Sequence, residues 1–384
     1  MDLSLLLADL RELVECESPS SDHAAVARSA EVVARVGAAR LGAEPERIVL
    51  DGVTHLRWRL GEGLSRVLVL GHHDTVWPMG SLATHPFSVE DTPEGTVLRG
   101  PGCFDMKAGL VMAFHAIASL DSADGATILV TGDEELGSPT SRGLIEDEAR
   151  GLDAALVLEA SADGGLLKTE RKGVSLYDVR LLGRAAHAGL EPERGVNATV
   201  ELAHQVLDVA ALGRHDLGTT VTPTASGTGT TTNTVPADGS FAVDVRVRTI
   251  AEQDRVDAAM RSLRPVLPGA DIEIIGGPNR PPLEAAASAA LFERVARLAV
   301  RLGQPVPGSA AVGGASDGNF TAGVGTPTLD GLGAVGGGAH AANEHVLVEE
   351  LPGRTVLLAA LVADLLAEPS APTNVPEPTG ALRP

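Results

Sequence analysis

Short runs of β-branched and apolar residues that stop abruptly in acid or histidine set the pattern of this chain. Arg66–Gly71 runs into His72-x-Asp74, Ala126–Gly132 into Asp133-Glu134-Glu135, and Ala154–Leu158 into Glu159. Runs of this kind predict strands of an open α/β sheet. Between the first two, a Gly100-Pro-Gly102 turn leads to Asp105 and an unbroken apolar segment, Met106–Leu120, predicted to be a helix packed on that sheet. Upstream, Leu3, Leu6, Leu7, Leu10 and Val14 share one helical face, and Ser21 or Asp22 can cap a second helix at about 23–40. Residues 47–60 alternate as strands, His85–Gly100 reads as a hairpin turning at Pro93-Glu94-Gly95, and Gly137-Ser138-Pro139 leads into a helix ending near Arg150.

Near Lys172 the character changes. A strand (Val174–Leu182), a helix (Asn197–Leu212), a strand (Ser240–Arg248), a helix at about 251–264 and a strand (Asp271–Ile275) form a compact α+β insert, with Thr219–Thr234 as a Thr/Gly-rich connection. From Glu284 the helical pattern returns, a Gly-rich stretch at 313–338 ends in His340, and 351–367 is a last helix. The chain therefore reads as an α/β protein: a mixed sheet flanked by helices, built from 1–175 and 285–367 and interrupted by the insert at 176–284. The Pro-rich tail, 368–384, is expected to be disordered.

Composition changes the picture only a little. A length of 384 residues exceeds the usual single core, in keeping with two domains. The formal charge of −21 argues against nucleic acid and against anionic membrane as partners. It leaves anionic substrates open, because bound divalent cations invert the local field. Cys16 and Cys103 provide neither a disulfide framework nor a thiolate metal site. Acids interrupt the first leucines, unlike a signal peptide, and no apolar run approaches a membrane span. A cytoplasmic protein is expected.

In open α/β sheets, ligands bind beyond the carboxyl ends of the strands. A single acid there reads equally well as a cap or a solvated turn. Jointly, His72, Asp105, Glu135, Glu159 and His340 offer only imidazole and carboxylate ligands, a set that suits Zn2+, with Co2+ or Mn2+ as alternatives. Asp74, two residues beyond His72, is placed to hydrogen-bond its imidazole. Glu134 precedes Glu135, and on an extended segment the two would point opposite ways.

The motifs run in order from about 66 to 345: His72-His-Asp74-Thr-Val, Gly100-Pro-Gly-Cys-Phe-Asp105-Met-Lys-Ala-Gly109, Gly132-Asp-Glu134-Glu135-Leu-Gly-Ser138, Glu159, Arg184-Ala-Ala-His187-Ala-Gly189, Gly195-Val-Asn197-Ala, Asn233-Thr-Val-Pro236, Asp244-Val-Arg246, Gly314-Ala-Ser316-Asp317 and Gly336-Gly-Gly-Ala-His340. In these the chain resembles the co-catalytic zinc peptidases that include glutamate carboxypeptidase, acetylornithine deacetylase, succinyl-diaminopimelate desuccinylase and aminoacylase. It is most similar to the bacterial glutamate carboxypeptidases.

The resemblance implies two Zn2+ per subunit, one on His72, Asp105 and Glu159, the other on Asp105, Glu135 and His340, with Asp105 bridging. It implies that Glu134 is the general base and that the insert is a lid and dimerisation domain. His187, often supplied by the partner subunit of a homodimer, and Asn233 would stabilise the oxyanion. Arg246, with Arg248 as competitor, would take the substrate α-carboxylate. The backbone at Gly338, the hydroxyl of Ser316 and the side chain of Arg280 would complete the substrate site. The expected reaction is cleavage of an amide in a small peptide or N-acyl amino acid: a carboxypeptidase acting on C-terminal glutamate-like residues, or a dipeptidase. The alternatives are an N-acyl-amino-acid deacylase of the acetylornithine or succinyl-diaminopimelate type, cleavage of a ureido amide, and a catalytically silent binding protein.

Overall fold

The computed structural model describes residues 1–93 and 95–367. Glu94 of the hairpin turn and the tail at 368–384, expected to be disordered, lie outside them. The chain forms two compact units. Met1–Thr169, Ala286–Ala310 and the residues from Ser316 onward make the first; Glu170–Ala285 with Ala311–Ala315 makes the second.

The first unit is built on a six-stranded sheet in the spatial order Glu46–Leu50, Val53–Arg59, Ala126–Thr131, Val67–His72, Ala154–Val157, Thr328–Leu329. The last four strands run parallel, while Val53–Arg59 pairs antiparallel with Glu46–Leu50 and with Ala126–Thr131. The apolar runs are buried on both faces, the usual state of strands in a parallel sheet. Val67 and Val69 face a large core shared with the helices Leu3–Val14, His23–Leu41, Ala108–Ala118 and Glu350–Ala367. Leu68 and Leu70 face the opposite way, onto Ile145 and Phe320 of the helices Arg142–Ala149 and Gly318–Gly323. Asp2 and Asp22 cap the first two helices through backbone amides.

The segment after Asp105 differs from the expectation. Cys103–Lys107 is a separate π-type turn with non-helical backbone at Asp105 and Met106, and the regular helix begins only at Ala108. That turn opens at Gly102, whose φ of +69° places it in the left-handed region. At Gly109 the helix runs so close to the sheet that a Cβ would sit 2.3 Å from the Leu158 carbonyl oxygen.

The second unit has a four-stranded antiparallel sheet ordered Thr220–Thr228, Asp238–Val247, Gly173–Leu182, Asp271–Arg280. The helices Ala198–Ala210 and Ile250–Arg261 supply Val209, Val256 and Met260 to its core. The Thr/Gly-rich connection thus contains a strand that its composition concealed, and Asp271–Ile275 is only the first half of a longer one. Among the described residues, no helix is long and apolar enough to cross a membrane.

Candidate metal centre

Three adjacent parallel strands deliver side chains to one edge of the first unit. His72 is the last residue of its strand, Glu134 and Glu135 occupy a 3-10 turn after Ala126–Thr131, and Glu159 follows Ala154–Val157. Asp105 comes from the Cys103–Lys107 turn, and His340 from the loop after Gly336–Gly337, at a positive φ of 62°. The two glutamates therefore part by a different route from the one expected. In a 3-10 turn successive side chains are rotated by roughly 120°, in place of the alternation of an extended strand.

The structure brings all five expected ligands together. His72 Nε2 lies 3.4 Å from Asp105 Oδ1 and 3.6 Å from Glu159 Oε1. His340 Nε2 lies 3.2 Å from Asp105 Oδ2 and 3.2 Å from Glu135 Oε2. Asp105 thus turns one oxygen toward each imidazole. Zinc–nitrogen and zinc–oxygen bonds of about 2.0–2.1 Å put neighbouring ligand atoms of a tetrahedron roughly 3.3–3.4 Å apart, so these separations are the edges that a tetrahedral cation requires. Buried His72 Nε2, Asp105 Oδ1 and Glu135 Oε1 have no hydrogen-bond partner among the described residues. Buried polar atoms seldom stay unpaired, and these converge on common points. Zinc fits the donor set. Glu134 belongs to the same cluster: its carboxylate, His72 and Glu159 offer atoms within 4.8 Å of one another, as do His72, Asp105 and Glu135.

The electrostatics follow from crowding. Burial disfavours a charged His72, yet the surrounding carboxylates of Asp105, Asp74 and Glu159 carry it well above its ordinary pKa. Asp105 and Glu135 lift His340 to about 10. Burial opposes ionisation of Asp105, but His340 and His72 hold it far below the carboxylate range. Burial raises Glu135, only partly opposed by His340. In the protein alone, protons on the imidazoles supply the positive charge that a metal would bring.

Asp74 is fully buried but serves His72 differently from the expectation. His72 Nδ1 is 3.0 Å from the Asp74 backbone oxygen and 3.4 Å from its carboxylate. The carboxylate accepts from the Ser20 hydroxyl at 2.6 Å and from the Glu134 and Glu135 amides at 3.3 and 3.2 Å. Asp74 therefore joins the His72 strand end to the glutamate turn. Two buried acids in the quoted motifs, given no role from sequence, do similar work. Asp133 accepts from the amides and hydroxyls of Thr140 and Ser141, and Asp317 accepts from the hydroxyls of Thr131 and Ser138. Their signal was their place inside those motifs, although each looked like an ordinary turn acid.

The expected substrate residues divide between the units. In the second, His187 and Asn233 are neighbours: Ala186–His187 pairs with Thr234–Val235, and the Ala188 amide donates to the Asn233 carbonyl at 2.9 Å. His187 Nδ1 accepts from the Gly189 and Leu190 amides, each at 3.1 Å, which places the ring proton on an exposed Nε2. Arg246 already forms a bidentate pair with Asp244, both bonds 2.8 Å. Arg280 is buried, and its carbonyl accepts from Gln253 at 2.9 Å. In the first unit Gly338 is half-buried with φ +73°. Ser316 is fully buried and its hydroxyl donates to Asp330 at 2.7 Å, so it braces the loop.

Residues 68–364 match the model of peptidase family M20/M25/M40. The chain is 32% identical over 318 residues to carboxypeptidase G2 from Pseudomonas sp. (strain RS-16), covering 79% of this chain and 75% of that protein. It is 29% identical over 340 residues to a succinyl-diaminopimelate desuccinylase from Azoarcus sp., covering 81% and 86%. In fold it is similar to an aminopeptidase PepT from Bacillus cereus, with a TM-score of 0.72 at 23% identity over 95% of this chain and 99% of that one.

Proposed function

The chain belongs to peptidase family M20/M25/M40, and on that footing we propose that it is a carboxypeptidase releasing a C-terminal, glutamate-like residue from a small substrate. It is a zinc-dependent metallohydrolase of the family, acting on small peptide or acyl-amino-acid substrates. The observation that carries the reading is Asp105, whose two oxygens face His72 and His340 at tetrahedral-edge distances with Glu134 in the same cluster.

In this reading His72, Asp105 and Glu159 would hold one Zn2+, and Asp105, Glu135 and His340 would hold the other. Bound there, zinc supplies Lewis acidity and lowers the pKa of a coordinated water. Glu134 takes the proton of the attacking water and returns it to the leaving amine. The Nε2–H of His187, beside Asn233, donates to the developing oxyanion. Arg246 receives the α-carboxylate with its remaining N–H donors while Asp244 holds the guanidinium plane in place. The protein works as a homodimer joined through the second unit.

Kinetics of the zinc-loaded enzyme on a panel of substrates test the proposal. The panel comprises N-acyl glutamates, dipeptides ending in glutamate, their C-terminal amides, N-succinyl-diaminopimelate and N-acetylornithine. The highest kcat/KM is expected for substrates ending in a free glutamate, with at least about a tenfold loss on amidation, as for a missing charge-assisted contact. A preference for the succinyl or acetyl diamino acids would favour a deacylase, the reading supported by the similarity to the desuccinylase.

A further inference from the structure

The mechanism makes no use of Glu344, a carboxylate only 3% exposed that accepts four hydrogen bonds. Its Oε1 takes the backbone amides of Phe104 and Asp105 at 2.9 and 3.0 Å. Its Oε2 takes the Gly102 amide at 3.1 Å and the Trp77 indole N–H at 2.6 Å. Four donors on two oxygens nearly exhaust a carboxylate's accepting capacity, so the side chain has one orientation. The donors come from two segments, and Glu344 itself belongs to a third. Trp77 follows His72 by five residues, the Gly102–Asp105 turn carries Asp105, and Glu344 follows His340 by four. The stretch from His340 to Glu344 is itself tied by two turns, Ala341 N–H to the Gly338 carbonyl and Glu344 N–H to the Ala341 carbonyl, both 2.9 Å.

We infer that Glu344 is a positioning residue that sets the distance between His340 and Asp105, and through it the second metal subsite. The inference rests on the ligand assignment proposed above. His72 and Glu159 stand at the ends of adjacent sheet strands, whose ladder holds them whatever Glu344 does. His340 stands farther from a ladder: it lies at positive φ, with 49% of its side chain exposed, midway along the loop between Gly336–Gly337 and His345–Leu347, which pair with each other, the latter also with Gly95–Arg99. Arg99 also donates to the Asn343 carbonyl at 3.3 Å, but the contact that ties this loop to the amides of the Asp105 turn itself is the Glu344 carboxylate. Loss of the clamp should therefore harm the two subsites unequally, which a merely structural defect would not do. Removing an outer support of a metal ligand typically weakens binding about 10–100-fold.

The test is stepwise zinc binding by the full-length protein, measured against a competing chelator, and the absorption spectrum of the Co2+-substituted form. Glu344→Gln keeps the shape but turns an NH2 group toward N–H donors. It should weaken the second zinc by about tenfold or more, leave the first within about threefold, and alter the cobalt spectrum only on addition of the second equivalent. Glu201→Gln is the control. Glu201 is a fully buried carboxylate in the second unit that accepts the Val266 and Leu267 amides, and its loss should lower Tm with both zinc affinities unchanged. If Glu344→Gln fails to fold, Trp77→Phe removes one of the four donors and should weaken the second zinc alone by roughly threefold, the equivalent of a modest hydrogen bond. Equal weakening of both zincs, or wild-type affinities with an unchanged cobalt spectrum, would overturn the inference. His340→Ala separates it from its premise: if that variant keeps the second zinc, the ligand assignment fails, whatever Glu344→Gln does.

Discussion

Adjacent glutamates at one turn face different neighbours, and the proposed reading gives them different tasks on that ground. Glu135 lies 3.2 Å from His340 Nε2, whereas Glu134 shares a cluster with His72 and Glu159. Glu134→Gln should lower kcat by at least about a thousandfold, the scale of lost general base catalysis, with two zincs retained by metal analysis. Loss of zinc in that variant would make Glu134 a ligand instead. Glu135→Gln should lose metal first and activity with it. Protons compete with zinc at the same atoms. In metal-free protein His340 keeps its proton to about pH 10, and His72 to well above its usual value. Zinc must displace both, so affinity should rise with pH, and calorimetry at pH 7.5 in buffers of different ionisation enthalpy should report release of about two protons. The stability sign is the reverse. A raised folded pKa stabilises below the unfolded value of about 6.5 and loses that contribution as pH rises through the folded value. Tm of the metal-free protein should fall between about pH 6.5 and 10, whereas that of the zinc-loaded protein should not. The proposed ligands were legible in sequence only jointly, through the order of the motifs that carry them, since any one acid at a strand end reads equally well as a cap or a solvated turn. The backbone contact from Asp74 to His72 was not, since side-chain spacing carries no record of which carbonyl a ring meets.

At the scale of elements, the buried strands announced themselves through uninterrupted β-branched runs, whereas the strand Thr220–Thr228 was hidden by threonine and glycine, which read as connection. The turn at Cys103–Lys107 was equally hidden, because Met106 and Lys107 are good helix formers that run straight into the apolar helix, while the Phe104 and Asp105 amides are held by Glu344. Helix packing rests on a polar knot that periodicity could not show. Asp9 of Leu3–Val14 is bound by Arg40 of His23–Leu41 at 2.6 and 2.7 Å and by His115 of Ala108–Ala118 at 2.7 Å. Burial would raise the Asp9 pKa, but these partners hold it below its ordinary value. The linkage is that of a depressed carboxylate: its contribution is present above the unfolded pKa of about 3.9 and lost as pH falls through the folded one. Asp9→Asn should therefore cost about 3 kcal/mol in urea unfolding at pH 7, as for a broken buried pair, and the difference from wild type should shrink below pH 4. Gly109→Ala tests the close approach of the same helix. The added methyl meets the Leu158 carbonyl, next to Glu159, so it should cost about 1–3 kcal/mol by overpacking. It should also weaken the first zinc. A neutral outcome would mean that the helix can shift without disturbing the ligand.

For the whole molecule, the decisive arrangement is that the five proposed ligands and Glu134 belong to the first unit, while His187, Asn233 and Arg246 belong to the second. A transition-state donor on a separate unit can act on its own subunit's metals or on a partner's, and kinetics can tell these apart. Dimerisation through the second unit has support in its two edge strands, Thr220–Thr228 and Asp271–Arg280. It is also supported by apolar side chains left outside the core, Leu207 at 70% exposure and Leu176 at 49%. Sedimentation at micromolar concentration should give a dimer, and a fully active monomer would refute it. His187→Ala should lower kcat by roughly a hundredfold or more while zinc content stays at wild type, as for other oxyanion donors. Subunit mixing then assigns the donor. If His187 serves the partner, a dimer of one His187→Ala subunit and one Glu134→Gln subunit contains one site with both residues intact and one with neither. If it serves its own subunit, both sites are defective. Equal co-expression of the two inactive variants should therefore restore about a quarter of wild-type activity in the first case, half of the dimers being mixed with one good site each. In the second case activity stays at the level of the separate variants. Either result preserves His187 as a catalytic donor, and only full activity of His187→Ala alone would remove it.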